Sequence, residues 1–170
     1  ERATAGSVRL LGQELFGANE DTLARIRRGA VGVVFQAFHL LPNMTAFENV
    51  ALSADLAGIP DGDKRAREAL ERVGLARRAG HYPGQMSGGE QQRTAVARAI
   101  VARPRILFAD EPTGNLDSAS GALVRDLLFG LSREDNAALV LVTHEPDFAA
   151  ACDRIVRLAD GAIAPQEGAA

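Results

Sequence analysis

Met86-Ser87-Gly88-Gly89-Glu90-Gln91-Gln92 and Ile106-Leu107-Phe108-Ala109-Asp110-Glu111 decide how this chain folds. In the first stretch Ser87 and Glu90 stand at the spacing of a capping box, so Ser87 is expected to open a helix running to about residue 102. Such a helix start offers free amides and about half a positive charge to an anion. Gly88 and Gly89 remove side chains where a phosphate would have to approach the backbone. The second stretch is an apolar strand ending in one carboxylate, Asp110, followed by another, Glu111. Side chains alternate along a strand, so the two point apart. Asp110 at the strand end can hold Mg²⁺ through its water shell. Glu111 can orient or deprotonate a water. Taken singly, each stretch also has a plain reading: a cap before a flexible Gly-Gly, and a strand-end turn.

Outward from these stretches, helices and strands alternate. Val31–Phe35 reads as a buried strand, and Gln36 follows it. Residues 37–86 read as helical. Thr45 and Glu48 form a second capping box, and that helix stops at Gly58-Ile59-Pro60. The next helix runs from Gly62 to Val73, with Gly74 at its end. Its many charges read as a solvated face. After Arg103-Pro104 come a strand to Asp110, a loop over 111–117 and a helix to about Arg133. Leu123, Leu127, Leu128 and Leu131 are assigned to one face of that helix. Leu139–Thr143 is a strand that delivers His144 to the same sheet edge as Glu111. Pro146 starts a short helix, and Arg154–Ala159 pairs with 162–164 through Asp160-Gly161. Near the start, Ser7–Leu11 reads as a short strand, and Asn19 caps a helix through Arg28. The tail from Pro165 reads as frayed. The alternation implies an α/β fold with a mostly parallel sheet and helices on both faces.

Composition narrows the class. The 170 residues suffice for one domain with a real core, and 46% are hydrophobic. No apolar run approaches the roughly 18 residues of a membrane span. A net charge of −3 argues against general nucleic-acid binding. The single cysteine, Cys152, cannot form an internal disulfide and reads as a small core residue. His39, His81, His144 and Cys152 lack zinc-ligand spacing, so no zinc is expected. The one lysine, Lys64, sits in Asp61-Gly62-Asp63-Lys64-Arg65, which is not the Gly-x-x-x-x-Gly-Lys-Ser/Thr of a P-loop.

The order of these features is more specific than any one of them. Strand-Gln36, a helical insert, Ser87-Gly88-Gly89-Glu90, Asp110-Glu111, Asn115-Leu116-Asp117 and His144 together resemble the ATP-binding cassette ATPases. The resemblance covers nearly all the chain after residue 6. It implies a P-loop NTPase-like core with an inserted α-helical signature subdomain. The parts would be 1–36, the end of an N-terminal core up to the Q-loop; 37–86, the helical subdomain; and 87–170, the signature helix and C-terminal core.

The resemblance also implies ATP and Mg²⁺ as cofactors. Gln36 would sense the γ-phosphate and metal and couple to a permease. Ser87, Gly88, Gly89 and Glu90 would bind the γ-phosphate held by a second, head-to-tail subunit. Asp110 would organise Mg²⁺, Glu111 would polarise water, His144 would contact the γ-phosphate, and Asp117 would lie at the dimer interface. The implied setting is an integral-membrane permease at the cytoplasmic face of a bacterial inner membrane.

Val34–Pro42, Glu48-Asn49-Val50 and Ala109–Asp117 look like the lipoprotein-release and macrolide-export branch, which also holds the cell-division ATPase. Asp126–Phe129 and Ala151–Arg154 look most like its YbbA-type members. Met86 stands where a leucine is usual, and Glu145 where an aspartate is commoner. The Walker A loop and the adenine-stacking aromatic would lie upstream of Glu1, so the chain by itself is expected to be inactive. The alternatives are a non-transport ATPase switch of the cell-division kind and a catalytically dead partner that donates only the signature motif.

Overall fold

The computed structural model describes residues 4–164. A small hairpin, β1 (Arg9–Leu10) and β2 (Gln13–Glu14), leads into helix α1 (Glu20–Arg27) and strand β3 (Val31–Phe35). Helices α2 (Ala46–Ala57) and α3 (Gly62–Arg72) follow, then α4 (Gly88–Ile100) and β4 (Ile106–Asp110). The chain continues through α5 (Ser118–Glu134), β5 (Ala138–Val142) and α6 (Pro146–Ala150) to a last hairpin, β6 (Leu158–Ala159) with β7 (Ala162–Ile163).

The sheet that matters is three-stranded and parallel, in the order β3-β4-β5. Its core face carries Val34, Leu107 and Ala109, packed into one apolar cluster with Val96 and Ile100 of α4 and Val124, Leu128 and Leu131 of α5. Alpha-helix α4 lies hard against β3. A Cβ at Gly32 would sit 2.3 Å from the Ala99 carbonyl oxygen, so only glycine admits that approach. Helix α2 is held between α3 and α4 by Val50, Ala54 and Leu70, all fully buried. Its Thr45–Glu48 capping box is formed, and Gly58 closes it in the left-handed region at φ 72°. Arg72, the last residue of α3, forks onto the end of α5. It donates to Asp135 at 2.9 and 3.0 Å and to Glu134 at 3.0 Å.

Several expectations need correction. β3 is not buried on both sides: Val34 is sealed while Phe35 faces out, as period-2 alternation dictates. The open face continues across Val140 and Val142. On α5 the buried stripe is Val124, Leu128 and Leu131; Leu123 is 47% exposed and Leu127 is peripheral. Spacings of four and three keep Val124 in the stripe, whereas Leu123 is rotated away. The strand expected over 7–11 is only Arg9–Leu10, because Leu11 (φ 51°) and Gly12 (φ 81°) turn the chain into β2. The C-terminal pairing is also shorter than expected, with residues 154–157 outside any strand. Cys152 is only half-buried, its thiol 3.8 Å from the Phe148 carbonyl. The tail from Pro165 lies outside the described residues.

Candidate functional site

Parallel pairing brings three strand ends level. Phe35, Asp110 and Val142 stand in register, so Gln36, Glu111 and Thr143-His144 emerge side by side. Glu111 adopts a left-handed backbone at φ 44°, a strained state for a side-chain-bearing residue. Its amide donates to the Val142 carbonyl at 2.9 Å, which fixes the turn to β5. Its side chain meets the second residue after β5: Oε1 lies 2.8 Å from His144 Nδ1. The other oxygen, Oε2, is buried without a hydrogen-bond partner. A carboxylate with one oxygen steadied and the other buried and unmatched is suited to taking a proton from a water.

The Glu111 hydrogen bond and its charge raise the His144 pKa above the ordinary histidine value. A pKa raised on folding stabilises below the ordinary value, and the contribution is lost as pH climbs through the raised one. Glu111→Gln is therefore expected to bring the imidazole midpoint down toward its ordinary 6.5. Imidazole ¹H–¹⁵N spectra across a pH series read this directly, and an unmoved midpoint would discard Glu111 as the cause.

Around this pair the loops are pinned to one another. The Thr113 hydroxyl donates to Glu145 at 2.5 Å, and the Glu145 amide donates to the Thr143 hydroxyl at 3.0 Å. The loop after β4 is thereby tied to the loop carrying His144. Asp110 is exposed at its strand end. No cluster of three or more acidic, histidine or cysteine side chains forms a metal cage among the described residues. A lone strand-end carboxylate fits Mg²⁺, which prefers one or two carboxylates with phosphate oxygens and waters.

The Gln36 side chain turns toward the other loop. Its Nε2 donates to Asn115 Oδ1 at 3.3 Å, and Asn115 Nδ2 donates back to the Gln36 carbonyl at 3.2 Å.

Ser87 heads α4 as expected. Its hydroxyl oxygen accepts from the Glu90 amide at 3.2 Å, and the Glu90 carboxylate accepts from the Ser87 amide at 2.9 Å. The hydroxyl hydrogen remains available to an anion. The Ser87 amide, with Arg78 and Arg93 nearby, holds the Glu90 carboxyl below its usual range. The two glycines differ. A Cβ at Gly89 would lie 2.8 Å from Ser120 Oγ, so Gly89 serves the approach of α4 to α5; at Gly88 the nearest atom would be Leu116 at 3.6 Å. Asp117 caps α5, accepting from the Ala119 and Ser120 amides at 3.1 and 2.9 Å, which lowers its pKa. Among the described residues no hydrogen bond joins Ser87–Glu90 to Asp110, Glu111 or His144. The helix start lies at the head of α4 and the carboxylate pair at the end of β4.

Two residues given no role by sequence reasoning hold the segment after β3. Gln92 of α4, fully buried, donates to the Phe35 carbonyl at 3.2 Å and the Pro112 carbonyl at 2.6 Å. Arg98, further along α4, donates to the Phe38 carbonyl at 2.8 Å and also to the His39 carbonyl. Phe38 and His39 are both left-handed, at φ 20° and 50°. A polar residue inside an otherwise apolar helical stripe (Gln92 before Val96 and Ala99) was the available signal.

A model of the ABC transporter family matches residues 1–114. The chain belongs to the ABC transporter family. It is 49% identical over 162 residues to the ABC transporter ATP-binding protein YbbA of Escherichia coli K12, covering 94% of this chain and 71% of that protein. To the lipoprotein-releasing system ATP-binding protein LolD of Geobacter metallireducens it is 47% identical, covering 96% of this chain and 73% of LolD. A solved dimeric structure of the ATP-binding cassette MJ0796, in a post-hydrolysis state with ADP and Pi, superposes with a TM-score of 0.86 at 40% identity. It covers 96% of this chain and 73% of that one. The three-stranded sheet and its helices are thus part of an ABC ATPase cassette. As an ABC transporter ATP-binding chain of the YbbA, LolD and MacB type, it serves ATP binding and transport-linked ATP hydrolysis.

Proposed function

We propose that the chain forms half of each of two composite ATP sites in a head-to-tail dimer that drives a membrane permease. The observation that carries this reading is the Glu111–His144 contact of 2.8 Å beside Asp110 at the end of β4, while Ser87 heads a different element, α4. In each composite site Asp110 would hold Mg²⁺, with Gln36 contributing once its side chain turns. Bound there, the ion offsets phosphate charge. Glu111 takes a proton from the attacking water while His144 steadies Glu111 and reaches the γ-phosphate. Ser87, Gly88 and the α4 amides, with Glu90 fixing Ser87, meet the γ-phosphate of the partner's nucleotide. Asp117 shapes the interface by fixing the start of α5.

The parts 1–36, 37–86 and 87–170 are proposed as core remainder, helical subdomain, and signature helix with C-terminal core. An open cleft of about 380 Å³ lies between α1, α2 and α4. Arg27, Arg28, Arg98 and Leu56 line it, with no carboxylate among its lining residues. That charge suits an acidic cytoplasmic segment of the permease. No helix among the described residues is long and apolar enough to cross a membrane. The setting proposed is the cytoplasmic face of a bacterial inner membrane, bound peripherally to the permease. The relatives named for lipoprotein release and macrolide export point to lipophilic cargo that is extracted or exported.

Mixed dimers test the composite sites. Dimers of the completed protein carrying Ser87→Arg in both protomers, or Glu111→Gln in both, are expected to be inactive. A dimer with one protomer of each kind retains one intact composite site and regains hydrolysis. If both motifs served one nucleotide within a chain, the mixture would stay dead.

A further inference from the structure

We propose that Asn115 is a positioning residue that parks Gln36 over Gly114, and so sets how often Gln36 is ready for the nucleotide. The proposal rests on the reading of Gln36 given above. Three observations support it. Gln36 and Asn115 close a two-way ring: side chain to side chain in one direction, and Asn115 Nδ2 to the Gln36 carbonyl in the other. The seat is shaped for the carboxamide, since a Cβ at Gly114 would fall 2.7 Å from Gln36 Nε2 and 3.1 Å from Cδ. The backbone on either side of Gln36 is already fixed, by Gln92 at the Phe35 carbonyl and by Arg98 at the Phe38 and His39 carbonyls. What remains free to switch is the Gln36 side chain, and Asn115 is the group that holds it.

The loop makes this a link between Glu111 and Asp117. Asn115 lies between Glu111, which faces His144, and Asp117, which caps α5. In the parked state Gln36 is hydrogen-bonded to Asn115 and not to Asp110. Turning toward a nucleotide on Asp110 requires breaking the bond from Gln36 Nε2 to Asn115 Oδ1, while Asn115 Nδ2 can stay on the Gln36 carbonyl. One exposed, neutral hydrogen bond biases such an equilibrium by about three- to tenfold.

The test uses the completed dimeric ATPase, with its Walker A loop, with and without its permease. Asn115→Ala is expected to raise permease-independent hydrolysis about three- to tenfold and to shrink the stimulation by the permease. Asn115→Asp keeps the acceptor for Gln36 Nε2 and should stay close to the parent. In a Gln36→Ala background Asn115→Ala should add nothing. If its effect persists there, Asn115 acts elsewhere and the proposal falls while the reading of Gln36 stands. If Gln36→Ala alone changes neither rate, the reading of Gln36 falls and the proposal with it. An unchanged basal rate in Asn115→Ala also overturns it. A second readout needs no turnover: in the chain itself, the Gln36 side-chain ¹⁵NH₂ signal should shift and sharpen in Asn115→Ala. An unmoved signal would show that Asn115 does not hold Gln36.

Discussion

In the completed protein, with its Walker A loop, Glu111→Gln is expected to cut ATP hydrolysis by about 10²- to 10⁴-fold while ATP-bound dimers still assemble. The substitution keeps size and shape, and the amide oxygen can still meet His144 Nδ1. What disappears is the proton acceptor. Oε2 of Glu111 is the oxygen buried without a partner, so no other protein group occupies it. Phosphate release in a single turnover, with dimer content followed by gel filtration in ATP, separates chemistry from binding. Hydrolysis within tenfold of the parent would remove Glu111 from its assigned place.

The second large effect is structural. Phe148→Ala is expected to destabilise the chain by about 3–5 kcal/mol, a large part of the roughly 5–15 kcal/mol that holds a typical domain together. Phe148 is 1% exposed and is the buried anchor of the short helix α6. Its ring lies 5.8 Å from that of Phe129 on α5. Alpha-helix α6 begins directly after His144 and Glu145, so the anchor also fixes the turn that brings His144 to Glu111. Urea midpoints give the loss, and Phe148→Leu should recover much of it. A loss below about 1 kcal/mol would mean the core closes over the gap.

Much of this was legible where the signal is local. Val31–Phe35 forms a strand as read, because an apolar β-rich run ends at a polar residue. The boxes at Thr45 and Ser87 form because the chemistry of a cap is complete within four residues. The adjacency of Glu111 and His144 followed from parallel-sheet topology, since both leave neighbouring strands at the same end. The stripe on α5 runs through Val124 and not Leu123, a choice that hydropathy alone does not make and that packing direction decides. The β1–β2 hairpin escaped notice since strands of two residues have no periodicity to read. Gln92 and Arg98 escaped for a different reason. Each works on main-chain carbonyls 20 to 60 residues away, and a carbonyl leaves no mark in the sequence.

The left-handed backbone at His39 and Glu111 sets backbone ease against side-chain contact. Glycine would sit at either position with less strain. It would also remove the edge-on contact of His39 with Phe35 and the bond of Glu111 to His144. Each loop therefore holds its side chain in place at the expense of a relaxed main chain.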